Sequence, residues 1–133
     1  MRSFMLNKLI RDKVFVSMQE LGQQVTYHQL SDEDFLPELK RKLLEEANEL
    51  NFTDKNVGNE LADLLEVIDK IRSELKIEPE HLAKLQQKRR EKSGGFNDKI
   101  YVERLDLADD DPWTAYYAEE ADRFPEVSAR KED

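Results

Sequence analysis

Cysteine is absent from the chain's 133 residues, and histidine, tryptophan, glycine and proline are sparse, with 2, 1, 4 and 4 copies. No disulfide, thiolate metal site or cysteine nucleophile can therefore form. The two histidines, His28 and His81, lie far apart in different elements, so a zinc hydrolase lacks ligands at helical spacing. Neither histidine has a matching serine motif, and no GxxxxGK[ST] stretch exists, which argues against serine hydrolase and P-loop chemistry. No apolar run reaches membrane length and no signal-peptide core is present, so the expectation is a cytoplasmic protein with no membrane partner. Positive charge is also short. The formal net charge is −9, and ten acids against three bases from Asp106 onward put −7 of it in the tail. Sequence-independent binding to nucleic acid needs a basic surface, so no nucleic-acid partner is expected.

What is abundant is charge and hydrophobicity in equal measure, each 38% of residues. That mix suits amphipathic helices, or a protein with part of its core in an oligomer interface. An apolar-periodic segment from Val14 to Leu21 predicts a first helix ended by Gly22. Alternation over residues 24–30 and again over 100–105 predicts two short strands that pair into a small sheet. Between them, Ser31 with three following acids caps a second helix; because Pro37 is awkward deep inside a helix, regular structure is expected to begin near Asp34. Its buried stripe would be Leu36, Leu39, Leu43, Ala47 and Leu50. A turn over Asn51 to Asn56 leads to a third helix from Val57 to Leu75, with Leu61, Leu64, Leu65, Ile68, Ile71 and Leu75 inward. Pro79 opens a fourth, contacting through Leu82 and Leu85. The expected organisation is one domain over 1–105 and an acidic extension over 106–133, with Trp113, Tyr116 and Tyr117 on a short helix and a frayed end from Ser128.

The second and third helices carry the chemistry. Glu46 and Glu49 lie side by side on one, Glu60 and Asp63 on the other, each pair three residues apart. If the chain reverses between them, Glu46 sits opposite Asp63 and Glu49 opposite Glu60 about a single turn centre. Glu46 has Leu39, Leu43 and Leu50 on its face, and Glu60 has Val57, Leu64 and Val67. Such positions normally hold leucine. An uncompensated carboxylate there costs several kcal/mol or takes up a proton. A divalent cation removes the difficulty, and oxygen ligands are what Mg²⁺ and Mn²⁺ prefer.

These residues resemble a known family, the all-α nucleoside triphosphate pyrophosphohydrolases related to MazG and to phosphoribosyl-ATP pyrophosphohydrolase. The resemblance rests on Glu45-Glu46-Ala47-Asn48-Glu49 followed by Glu60-Leu61-Ala62-Asp63, similar to the family's EExxE…ExxD pattern. It extends to Asn7-Lys8-Leu9-Ile10-Arg11-Asp12-Lys13, similar to a KLVRDK opening, and to Gly94-Gly95-Phe96 where one branch has RGGF. Two departures stand out: ten residues separate Glu49 from Glu60, short for the family, and Ser93 replaces the arginine before the glycines.

The resemblance implies a mainly all-α, MazG-like antiparallel helical bundle with the small two-stranded element as an accessory, forming a homodimer or homotetramer. It further implies a nucleotide pyrophosphohydrolase that releases a nucleoside monophosphate and pyrophosphate, with a house-cleaning role toward damaged or surplus nucleotides. Glu46, Glu49, Glu60 and Asp63 would hold Mg²⁺, with Mn²⁺ as a substitute. Glu45 and Glu46 would be catalytic, Glu45 orienting or deprotonating the attacking water. Lys8, Arg11, Lys13, Arg90 and Lys92, with the Gly94-Gly95 loop, would bind the phosphates. The alternative class is a non-catalytic nucleotide or metal sensor, or a helical interaction module, which binds without turnover.

Overall fold

The structure is a computed structural model that describes residues 1–128; the expected fraying from 129 onward lies outside the described residues. Five helices follow one another: α1 (Asp12–Glu20), α2 (Asp32–Phe52), α3 (Val57–Glu74), α4 (Pro79–Ser93) and α5 (Thr114–Glu119). The protein is mainly helical, as its periodicity predicts. Two compact units divide it, Met1–Lys92 and Ser93–Asp133. Among the described residues, no helix is long and apolar enough to cross a membrane.

In the first unit, α1 ends where Gly22 takes a positive φ of 72°, with Gly22 and Gln23 donating to the carbonyls of Gln19 and Met18. Those two bonds satisfy carbonyls that a helix end otherwise leaves orphaned. Phe15 of α1 packs edge-on against Tyr27, ring centroids 4.5 Å apart. Ser31 caps α2, its hydroxyl accepting from the Asp34 backbone N–H at 3.3 Å. The helix starts at Asp32 rather than near Asp34, and Pro37 lies inside it, at the cost of one backbone bond. Asn56, in left-handed backbone with φ 57°, starts α3 after a four-residue link, residues 53–56. Asparagine tolerates that conformation better than most side chains.

α2 and α3 thus form an antiparallel hairpin, and among the described residues no other helix pair packs as extensively. Its core is thin. Leu39 and Val67 are the buried hydrophobic residues, with Leu36, Leu43, Leu50, Leu64 and Ile71 half-buried around them. Several residues expected inward are not. Ala47 is exposed, and Leu61, Leu65, Ile68 and Leu75 of α3 are exposed as well, Leu65 by 65%. At about 100° per residue these four form a second stripe, roughly a quarter turn from the stripe that meets α2. One apolar face is used inside the hairpin; the other is left open. α4 is exposed along its whole length, Leu82 and Leu85 included.

The expected strands do not form: among the described residues no strand is present, and 24–30 and 100–105 run without a ladder. Two short segments that alternate are a marginal pair in water, because a two-stranded element buries too little to hold itself together. In the second unit, α5 carries Tyr116 and Tyr117, which with Trp113 and Phe124 make edge-on ring contacts at 5.2–5.6 Å. Arg104 ties this unit together locally by donating to Asp106 at 2.8 Å and to the Ser128 carbonyl at 2.7 Å.

Candidate functional site

Glu46 lies on the α2 face that meets α3, between Leu43 and Leu50 in the stripe, so folding the hairpin takes it out of water. Only 7% of it remains exposed. Glu60 and Asp63 reach the same place from α3, and an oxygen from each of Glu46, Glu60 and Asp63 lies within 4.8 Å of the other two. A second trio on the α2 side, Glu45, Glu46 and Glu49, meets the same criterion. Glu46 belongs to both. Glu46, Glu49, Glu60 and Asp63 thus divide between two trios that share Glu46; Glu49 groups with its own helix and is exposed, and the expected facing of Glu49 with Glu60 is not among the convergent sets.

The cations are arranged around this cluster. Lys42 Nζ lies 3.2 Å from Glu45 Oε1 and 3.4 Å from Glu46 Oε1, and its side chain is only 14% exposed. From the segment before α1, Lys8 Nζ reaches Glu45 Oε1 at 3.1 Å and Arg11 Nη1 reaches Asp63 Oδ1 at 3.0 Å. Lys8, Lys42 and Glu45 also line a small pocket of about 70 Å³ together with Asn7, Glu38 and Arg41. Lys13, on the first turn of α1, is exposed and makes no ion pair among the described residues. Arg90 and Lys92 stand exposed on α4, likewise without an ion pair. Gly94 and Gly95 belong to the second unit; Gly94 has φ 78°, and a Cβ at either would meet open space.

These surroundings set opposite proton affinities on adjacent carboxyls. Burial pushes Glu46 above the usual range for its type, with Glu49 and Asp63 adding to the rise and Lys42 opposing it. For Glu45 partial burial acts upward, but the hydrogen bonds from Lys8 and Lys42 outweigh it and hold the carboxyl below its usual range.

Lys42 escapes the sequence reading, although its spacing was visible: it precedes Glu45 by three and Glu46 by four, the separations at which helical side chains meet. No protein-family model, curated protein or solved structure matches the chain.

The donor chemistry fits a hard divalent ion. Glu46 Oε2 and Glu60 Oε2 are both buried with no hydrogen-bond donor, and the trio offers carboxylate oxygen only. Exposed acids are commonly clustered without a ligand; a buried carboxylate oxygen with no donor costs on the order of 1–3 kcal/mol and calls for a partner. Mg²⁺ and Mn²⁺ take such oxygens, and nitrogen or sulfur ligands are missing from the set.

Proposed function

We propose that this protein is a divalent-metal-dependent nucleotide pyrophosphohydrolase, converting a nucleoside triphosphate or related nucleotide to the monophosphate and pyrophosphate. The observation that carries this reading is the pair of orphaned, buried oxygens on Glu46 of α2 and Glu60 of α3, two residues whose carboxylates converge with that of Asp63. The sequence resemblance of the EExxE and ExxD segments, which contain these same acids, agrees with it.

Glu46, Glu60 and Asp63, with Glu49 beside them, would hold Mg²⁺ or Mn²⁺. The bound ion would supply Lewis acidity, drawing charge from phosphate oxygens and making a nearby water more acidic. The rest falls to the chain's own side chains. Glu45 stays ionised because the neighbouring cations favour its charged form, Lys42 still doing so once Lys8 turns to the phosphates, so it accepts a hydrogen bond from the attacking water and aims it. A carboxyl held below its usual range is a weak base; its role is orientation more than proton removal. The water oxygen bonds to the α-phosphorus as the bond to the bridging oxygen breaks; pyrophosphate leaves with that electron pair, and the water's proton passes to a phosphate oxygen or to solvent.

Lys8, Lys42 and Arg41 at the small pocket, with Arg11 and Lys13, are the cations that would neutralise the β and γ phosphates. Arg90 and Lys92, exposed on α4 of the same unit, would complete this set on substrate binding. The reading is tested by incubating the protein with a panel of nucleoside triphosphates and Mg²⁺ or Mn²⁺ and resolving the products by chromatography. Monophosphate with pyrophosphate is the expected result. Binding or thermal stabilisation without product would instead identify a nucleotide or metal sensor.

The open stripe of α3 supports a homo-oligomer, a dimer or tetramer. Leu61, Leu65, Ile68 and Leu75 are each between 39% and 65% exposed, and burying what remains would contribute on the order of 1 kcal/mol per side chain. In light scattering coupled to size exclusion, the natural chain is expected at two or four times its 15.7 kDa mass and Leu65→Glu at the monomer mass. An unchanged mass for Leu65→Glu would move the interface elsewhere.

A further inference from the structure

The two ion pairs that reach the cluster from outside the hairpin come from one short segment. Residues 7–11 have no helix or strand, and Lys8 and Arg11 meet Glu45 and Asp63 across 37 and 52 positions of sequence. Leu9 and Ile10 between them are half-buried, whereas residues 1–8 are exposed. Ion pairs to α2 and α3 anchor this segment, with Leu9 and Ile10 half-buried beside them.

Asp63 is one of the three residues whose oxygens converge, and its Oδ1 is taken by Arg11. Glu46, nine-tenths buried with Oε2 lacking any donor, points the same cluster toward a cation that Arg11 and Lys42 do not supply. A divalent ion placed there would draw the Asp63 carboxylate to itself and lie beside the guanidinium. Two positive groups cannot both occupy that carboxylate without repulsion.

We infer that segment 7–11 is the resident counter-charge of the α2–α3 carboxylates and that a divalent ion displaces it, so that ion binding frees Arg11 and Lys8 for the substrate's phosphates. This rests on the pyrophosphohydrolase reading for what the freed cations then meet, and on the carboxylate cluster alone for the displacement. The Arg11 guanidinium, 60% exposed, is held by a bond that water and salt weaken, so the exchange needs little energy. Linkage makes the effect reciprocal: whatever the ion does to the segment, the segment does to ion affinity.

Two measurements without nucleotide test it. Because the chain has no cysteine, Met5→Cys takes a single spin label three residues before Lys8. Its paramagnetic resonance spectrum is expected to sharpen when diamagnetic Mg²⁺ is added, and to be sharp already, and unresponsive to Mg²⁺, when Arg11→Gln is added to the labelled chain. In parallel, calorimetric titration with Mn²⁺ is expected to show Arg11→Gln binding about two- to fivefold more tightly than the natural chain, the factor a surface ion pair converts to. Arg11→Lys, which keeps the charge, should restore the natural affinity, and the gap should shrink in 1 M salt. Equal or weaker Mn²⁺ binding by Arg11→Gln, or a label that ignores Mg²⁺, overturns the inference. If the protein hydrolyses triphosphates while the label stays unmoved, the displacement fails and the enzymatic reading stands; if no Mn²⁺ binds, both fail.

Discussion

Glu46→Gln is expected to make the metal-free protein more stable while abolishing its stabilisation by divalent ions. In the absence of an ion, the natural carboxylate is buried, repelled by Glu49 and Asp63, and only partly answered by Lys42 at 3.4 Å. A neutral amide of nearly the same shape removes the repulsion and the ionic desolvation, and Lys42 keeps Glu45 as a partner at 3.2 Å. The gain should be on the order of 1 kcal/mol, which for a chain of this size raises the melting temperature by roughly 3–5 °C in EDTA. The same substitution removes a ligand. A site-binding ion at a hundred times its dissociation constant stabilises by about 2.7 kcal/mol, and that increment should vanish in Glu46→Gln.

The pH dependence has a definite sign. Since Glu46 has a raised proton affinity in the folded chain, folding retains a proton that the unfolded chain has released. Stability from this group is therefore fully present below the unfolded carboxyl value, about 4.3, and falls as pH rises through the folded value. The advantage of Glu46→Gln over the natural chain should accordingly be negligible in acid and complete at neutral pH. A metal-free Glu46→Gln protein that melts lower than the natural one at pH 7 would contradict the assignment of Glu46 as an unpartnered buried anion.

Asp63→Asn is expected to lower pyrophosphate release by at least about a hundredfold with the helices intact. The amide keeps the size of the side chain and can still accept from Arg11, so circular dichroism and melting in EDTA should change little. What is lost is one negative oxygen of the convergent trio, and removal of a group at the centre of charge stabilisation typically costs 10²–10³ in kcat. Glu49→Gln separates the two halves of the cluster. Because Glu49 is exposed and groups with Glu45 and Glu46 on its own helix, its loss should reduce turnover less than the loss of Asp63. Unchanged turnover in Asp63→Asn would remove the mechanism.

The parts of this arrangement that could be read from the sequence are those governed by local physics. Ser31 and Pro79 each precede or open a helix where their conformational preferences place them, and Gly22 ends one where a positive φ is needed; Asn56 precedes α3 without a side-chain capping bond. The convergence of Glu46 with Asp63 follows from helical spacing plus a short reversing link. The remaining differences depend on how far one helix is turned against its neighbour. Leu61 and Leu65 share a helix face that periodicity cannot distinguish from the face used by Leu64 and Val67. Only the packing of α2 decides which of the two is covered. The same rotation leaves Glu49 outside while bringing Glu60 inward toward Glu46. Segment 24–30 alternates like a strand, yet alternation states a preference and supplies no neighbour to bond with. The pairing of Arg11 with Asp63 lies across 52 residues and has no local signature at all.

The most direct measurement is anomalous diffraction at the manganese edge from crystals grown or soaked with Mn²⁺. A peak within coordination distance of Glu46 Oε2, Glu60 Oε2 and Asp63, with Arg11 withdrawn from Asp63, is the predicted result. Crystals saturated with Mn²⁺ that show no peak there, and still show Arg11 bonded to Asp63, would contradict the claim that these carboxylates are built to hold a divalent ion.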